Sequence, residues 1–467
     1  MQGRTLTFSE IEARTRRFAD AFSGHGPGVL IALPQGPDAY AAMLGAGLAG
    51  CYYAPLNVAA PVDRLCRIAR LMRPTVIVAA AELAGALAAA VPGAALVSPY
   101  RLDDKPYGGS GVRHELAYLI FTSGTTGLPK GVMIPRTALD HYIDWVSRSG
   151  FITSHDRVAQ FSNIAFDVSV TDIYGALGLG AELFPVTGRA DRMFPARLVA
   201  RERLTVWNST PSVIGLMMQA GEADQDHLRT LRLVNTCGEP LLPAHVETLF
   251  AALPEGIVQN SYGPTETTVT MTEIHLDRHR YREACDSSVA IGAPIADMGI
   301  HLVGGPHPDE GEIAITGPQL ASGYWEDPEK TAAAFRALLV DGRETRAYFS
   351  GDWAIRRDGH IFFKQRMDGQ VKVHGHRLEL DEVARAIHDH GFPIVCVLKW
   401  RGELAAVIER RSDRPFVEAD LRSAMAKHLE RHAIPSTIRV IEHMPHTEND
   451  KLDRRAVAEW LDAVAGI

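Results

Sequence analysis

Up to about residue 360 the chain alternates amphipathic stretches such as "FSEIEARTRRFADAF" with short apolar runs such as "GVLIALP", "PTVIVAA" and "LRLVNT". That alternation restricts the fold to α/β architecture with layered sheets and helices. The pattern then changes. The stretch "IFFKQRMDGQVKVHG" reads as a strand, a turn at Met367-Asp368-Gly369 and a second strand. A compact tail follows, with helices at "ELDEVARAIHDHG" and "DLRSAMAKHLERH" and strands at "PIVCVLKW", "GELAAVIER" and "STIRVIEHM". The expected organisation is a large N-terminal α/β domain over 1–367 and a small α+β C-terminal domain over 368–467.

Charge and cysteine usage narrow the function. A formal net charge of −8 argues against a broad nucleic-acid surface. Cys51, Cys66, Cys237, Cys285 and Cys396 are odd in number and contain no CxxC pair, which fits reduced thiols in a cytoplasm better than a disulfide or zinc framework. The N-terminus lacks a signal-peptide pattern, and the most apolar stretch, Ala79 to Val97, carries Glu82 and Pro92. It reads as an Ala-rich helix and a strand, not a membrane span.

Four clusters carry chemistry. In "YLIFTSGTTGLPKGVMI" a strand and a return strand flank a loop with hydroxyls at Ser123, Thr125 and Thr126. Gly124, Gly127 and Gly131 let backbone N–H groups approach an anion, and Lys130 adds a point charge. Such a loop suits a polyphosphate, although Pro129 breaks the P-loop pattern. In "NSYGPTETT", Tyr262 can offer a flat face to a nucleobase, Thr265 can reach a phosphate, and Glu266 can hold Mg²⁺. In "YFSGDW", Asp352 can accept from vicinal hydroxyls; in "TENDKLDRRAV", Lys451 sits on a polar turn. Each cluster alone also reads as an ordinary turn or charged surface. His374, His376, His388 and His390 could suggest a metal set, but solvated surface histidines are the simpler reading.

Together and in this order, the clusters resemble the adenylate-forming superfamily of acyl-CoA synthetases, luciferases and nonribosomal peptide synthetase adenylation domains. "LTFSEIEART", "LAGCYYAPLN", "FDVSVTDIY", "GEIAITGPQLASGYW" and "QRMDGQVKVHGHRLEL" add further counterparts, so the likeness spans nearly the whole chain. "NSTPSV" and "TCGEPL" bring it close to free-standing amino-acid adenylation domains such as the D-alanine:carrier-protein ligases. The resemblance implies ATP and Mg²⁺ as cofactors. Nucleotide contacts would come from Thr122, Ser123, Gly124, Thr125, Thr126, Gly127, Lys130, Gly238, Glu239, Asn260, Tyr262, Gly263, Asp352 and Arg366. Lys451, Thr265 and Glu266 would serve the chemical step, with Glu266 on the metal. Asp368 would be the hinge of a mobile small domain. Two departures stand out: Asp450 precedes Lys451 where the family has glycine, and Gln365 precedes Arg366 where it also has glycine.

The same likeness assigns Asp167 to the substrate's α-ammonium group, because a desolvated carboxylate is costly without a cation. The rest of the wall would be Val168, Thr171, Asn208, Asn235, Cys237, Ser261, Val269 and Thr270. Five of those eight carry a hydroxyl or amide, and polar-lined sites reject analogues that leave them unpaired. Serine, threonine, asparagine or a diamino acid fit, and the "CGE" around Cys237 keeps alanine in contention. The expected reaction joins a small α-amino acid, alanine or serine first, to AMP with release of pyrophosphate. Transfer to the phosphopantetheine thiol of a separate carrier protein would follow. The alternatives are an acid–CoA ligase, an enzyme for a β-amino or diamino acid, and an inactive fold used for binding.

Overall fold

A computed structural model describes residues 5–103, 109, 113–122, 129–367, 370–410, 416–446 and 452–466. The chain divides into two compact units. The first comprises Met1–Asn57, Ala69–Phe121 and Gly131–Met367; the second comprises Val58–Ile68, Thr122–Lys130 and Asp368–Ile467. The mixed α/β class expected from the sequence is the one observed.

The first unit opens with the helix Phe8–Phe22, set by a capping box in which Thr7 and Glu10 exchange backbone and side-chain bonds. Phe18, Ala19 and Phe22 share its buried face at helical spacing. Two seven-stranded sheets follow. In one, the strand Gly28–Ala32 lies between Tyr52–Pro55 and Val76–Ala79, parallel to both. All of its residues are buried, as unbroken apolar runs in parallel sheets require. The strands Leu116–Thr122 and Lys130–Pro135 are neighbours in this sheet. In the other sheet, Val206–Ser209, Leu233–Cys237 and Ile257–Tyr262 run parallel, and Thr272–Leu276 returns antiparallel. A third, antiparallel sheet holds the long strand Arg343–Arg357 between Glu310–Thr316 and Phe335–Val340.

The second unit contains a hairpin, Gln370–Val373 with His376–Glu379, and a sheet of Val395–Trp400, Glu403–Glu409 and Thr437–Ile441. His374 (φ 49°) and Gly375 (φ 80°) make the hairpin's tip, two left-handed residues as a tight primed turn demands. Val383, Ile387, Val397, Ala406, Leu421 and Met425 build its core.

Local features refine the sequence reading. The two strands expected at Ile361–Gly375 are observed as His360–Arg366 and Gln370–Val373; the first pairs with Arg343–Arg357 and the second with His376–Glu379. Strand pairing follows sheet-wide register, which a local turn signal does not encode. The helix at "DLRSAMAKHLERH" is the shorter Glu418–Met425. The helix Arg454–Val464, capped by Asp453, had no expectation.

Candidate active site

Three of the expected nucleotide residues meet in one triangle, in which Tyr262 and Asp352 are buried and Arg366 is half-buried. Tyr262 ends its strand, and its hydroxyl donates to Asp352 Oδ2 at 2.6 Å. Arg366 Nη1 donates to Asp352 Oδ1 at 2.9 Å and to the Ser350 carbonyl at 2.8 Å. The register of Arg343–Arg357 with His360–Arg366 places Asp352 opposite Arg366. Burial, with the Asp352 carboxylate beside it, pushes the Tyr262 phenol far above its ordinary range, so it stays a donor. Asn260 turns inward: its Nδ2 donates to the Ala290 carbonyl and its Oδ1 accepts from Thr236. On the neighbouring strand end, Gly238 is left-handed (φ 92°), and Glu239 Oε2 accepts from the Ser212 backbone N–H at 3.0 Å and from its hydroxyl.

The loop from Thr265 to Met271 is the strained part of the site. Thr268 (φ 57°) and Val269 (φ 69°) are consecutive left-handed residues, a costly state for β-branched side chains. Gly263 lies so close beneath that an added Cβ would meet the Val269 carbonyl oxygen at 2.2 Å. Glu266 is fully buried, and its Oε1 accepts from the Tyr324 hydroxyl at 2.8 Å. Among the described residues no three His, Cys, Asp or Glu form a cation cage. One buried carboxylate fits a hard cation that takes its other oxygens from phosphates and water.

Asp167 stands at the N-cap position of the helix Val168–Leu179, yet its side chain makes no capping bond to that helix. Its charge contributes to the rise of the buried Tyr118 phenol. Beyond it lies a polar row crossing the second sheet. Gln259 Nε2 donates to Ser261 Oγ (3.3 Å), Ser261 to Asn235 Oδ1 (2.8 Å), Asn235 Nδ2 to Asn208 Oδ1 (2.8 Å), and Asn208 Nδ2 to Asp172 Oδ1 (3.4 Å). Burial raises the Asp172 carboxyl well above its ordinary range. The Tyr142 hydroxyl lies 2.6 Å from Thr171 Oγ1 and also bonds Thr270. Cys237 and Val269 are buried, and Val168 is half-buried. Trp207, next to Asn208, packs with Phe161 in the apolar cluster on the other side of its strand and does not join the polar row.

Thr122 and Lys130 are the flanking strand ends of the proposed phosphate loop. Ser123, Gly124, Thr125, Thr126, Gly127, the hinge candidate Asp368 and Lys451 lie outside the described residues. Sequence reasoning missed Gln319, Tyr142 and Asp172. Gln319 and Asp172 carried a signal, each a polar residue inside a quoted motif, "GPQLASGYW" and "FDVSVTDIY".

The sequence pattern of the AMP-binding enzyme family matches residues 1–325. The chain belongs to that family and is an AMP-forming ligase. It is similar to the D-alanine–D-alanyl carrier protein ligase of Lactiplantibacillus plantarum, 31% identical with 99% of this chain and 95% of the relative covered. The enzyme of that name from Listeria monocytogenes is 29% identical over 89% and 85% of the two chains. Among solved structures, the Vibrio cholerae adenylation domain AlmE, in complex with glycyl-adenosine-5'-phosphate, superposes with a TM-score of 0.85. It is 25% identical, with 99% of this chain and 94% of that one covered.

Proposed function

We propose that the protein activates a small α-amino acid, alanine or serine first, as its aminoacyl-AMP and passes it to the phosphopantetheine thiol of a separate carrier protein. The observation that carries this reading is the buried wall of hydroxyls and amides from Thr171, Asn208, Asn235, Ser261 and Thr270, with Asp167 at the start of the helix that carries Thr171. An α-ammonium group would answer that charge, while the committed amides of Asn208 and Asn235 favour a short side chain. The carrier protein ligases and the glycyl-AMP complex among its relatives support a small amino acid and a carrier-borne acceptor.

ATP is the second substrate. Asp352, held by Tyr262 and Arg366, is a fixed acceptor for ribose hydroxyls, and the Tyr262 ring is the adenine contact. With both amide ends spent, Asn260 acts by holding its strand beside Tyr262. Gly238, Glu239 and Gly263 shape the backbone around the nucleotide. Thr122, Ser123, Gly124, Thr125, Thr126, Gly127 and Lys130 take the phosphates, with Thr265. Glu266 holds Mg²⁺, which supplies charge neutralisation at the phosphates when bound. Attack of a carboxylate on the α-phosphate brings two anions together; Lys451 offsets that charge at phosphorus, and the phosphate loop stabilises the leaving pyrophosphate. The residues position and neutralise but form no covalent intermediate. Residues 1–367 form the activating domain, and 368–467 form a mobile domain hinged at Asp368. Five cysteines, none in a disulfide, fit work in a reducing cytoplasm.

The test is ATP–pyrophosphate exchange across the proteinogenic amino acids, both alanine enantiomers, β-alanine and simple carboxylic acids, with Lys451→Ala alongside. Exchange with one small α-amino acid, abolished in the variant, is the expected result. Exchange only with acids lacking an amino group would overturn the reading of Asp167 and leave an acid–CoA ligase.

A further inference from the structure

One side chain ties the two halves of the candidate site together. Gln319 is fully buried in the link between the strand Glu310–Thr316 and the strand Gly323–Tyr324. Its Nε2 lies 3.1 Å from the Thr267 carbonyl oxygen, 3.3 Å from that of Thr268 and 2.8 Å from that of Thr270. Three acceptors around one nitrogen fix which end of the amide is which, because a carbonyl oxygen there would face three others. With only two hydrogens for three acceptors, one bond is shared. The loop answers in kind: Thr268 Oγ1 donates to the Gln319 backbone carbonyl at 2.8 Å. Gln319 Oε1 therefore faces His141 Nδ1 at 3.0 Å, which makes Nδ1 the protonated ring nitrogen; the His141 ring belongs to the helix Arg136–Ser149.

The segment after Gln319 continues the embrace. The Ala321 backbone N–H donates to the Glu266 carbonyl at 2.8 Å, and the Tyr324 hydroxyl holds the Glu266 carboxylate. Glu266 at one end of the loop belongs to the nucleotide side, and Val269 and Thr270 at the other belong to the amino-acid side. The left-handed pair Thr268 and Val269 joins the two ends, and its strain persists only where the surroundings over-determine it.

We infer that Gln319 is a positioning residue that holds the Thr267–Thr270 backbone in its strained form and so sets Glu266 and the pocket wall in register with each other. Its removal should disturb both substrates at once. The inference rests on the activity proposed above.

The experiment is pyrophosphate exchange with the full chain, comparing wild type with Gln319→Leu and Gln319→Glu. The leucine keeps the approximate volume and removes the donors; the glutamate keeps the shape and sets oxygen against three carbonyls. The expected result for both is a rise in KM for ATP and for the amino acid together. A fall in kcat/KM on the order of 10- to 100-fold should accompany it, as small displacements at a reacting centre produce. A merely structural role would lower the active fraction, read by titrating active sites, and leave both KM values where they were; that result overturns the inference. Should neither variant fold, His141→Ala carries the test, since it frees the amide's oxygen end without touching the loop. It should raise both KM values by roughly three-fold or more, and unchanged values overturn the inference. If the wild type exchanges with no amino acid at all, the proposed activity fails and this inference falls with it. Exchange in the wild type that survives intact in the variants refutes the inference alone.

Discussion

Lowering the pH from 8 to 5 should loosen the second unit, with His432 responsible for much of the change. Its ring stacks on His376, with centroids 3.5 Å apart and planes 13° from parallel. Burial, the Arg64 guanidinium and His374 push its pKa down to about 3. Glu430 lies 3.8 Å from the ring but is also engaged by Arg64 at 3.2 Å. The unfolded chain takes up a proton here below about pH 6.5, and the folded chain does so only near pH 3. The unfolded state therefore binds more protons between those values. Stability from this group is complete above pH 6.5 and is lost progressively as the pH falls. At pH 5 the difference is about 1.5 pH units, or about 2 kcal/mol, with about 1 kcal/mol as the lower figure given the ring's partial exposure. Hydrogen exchange of the amides of 370–466 in the full chain, at the two pH values and corrected for intrinsic rates, reads this locally. His432→Phe keeps a flat ring on His376 and cannot titrate. The variant should lose at least about 1 kcal/mol less protection than wild type on acidification. Equal losses would refute the assignment.

Other outcomes follow from the same geometry. Gly263→Ala should cut exchange by more than about ten-fold, because its Cβ would meet the Val269 carbonyl and must push the strained loop aside. Tyr262→Phe removes one donor to Asp352 but leaves Arg366; an increase in KM for ATP of roughly five- to ten-fold is expected, with the amino-acid KM little changed. Asp156 is raised by burial, but hydrogen bonds from Arg232, Thr205 and Thr153 outweigh this and bring its pKa to about 2. That carboxylate stabilises the fold above its unfolded value, with the stability lost as the pH falls through 2, so Asp156→Asn should cost about 2 kcal/mol in urea unfolding at pH 7 and little at pH 2.

The linear clusters were legible because each concentrates its chemistry in a few adjacent residues. Tyr262, Asp352 and Arg366 were readable singly, and the long antiparallel register that brings Asp352 opposite Arg366 makes them one feature. Asp167 was singled out by its neighbours in the sequence, whereas the absence of a capping bond to its helix needed coordinates. Gln319 was hidden for a different reason. It serves the loop from 49 to 52 residues away, through backbone carbonyls that every residue possesses, so no residue type in the loop betrays it. Tyr142 and Asp172 were overlooked similarly: each sits on an amphipathic or apolar helix and shows its polarity only across a packed interface, Tyr142 toward Thr171 on the neighbouring helix and Asp172 toward Asn208 on the second sheet.

The polar row across that sheet has a direction. From Ser261 through Asn235 to Asn208 each donor points the same way, ending on Asp172. Turning round the Asn235 amide would set its oxygen against that of Asn208, so these two amides constrain each other's orientation. Altered substrate preference should therefore arise through sets of compensating replacements, with individual steps that look deleterious in isolation. Double-mutant cycles between Asn208 and Asn235 should show strong non-additivity, and the evolutionary history of this wall should be one of correlated rather than independent change.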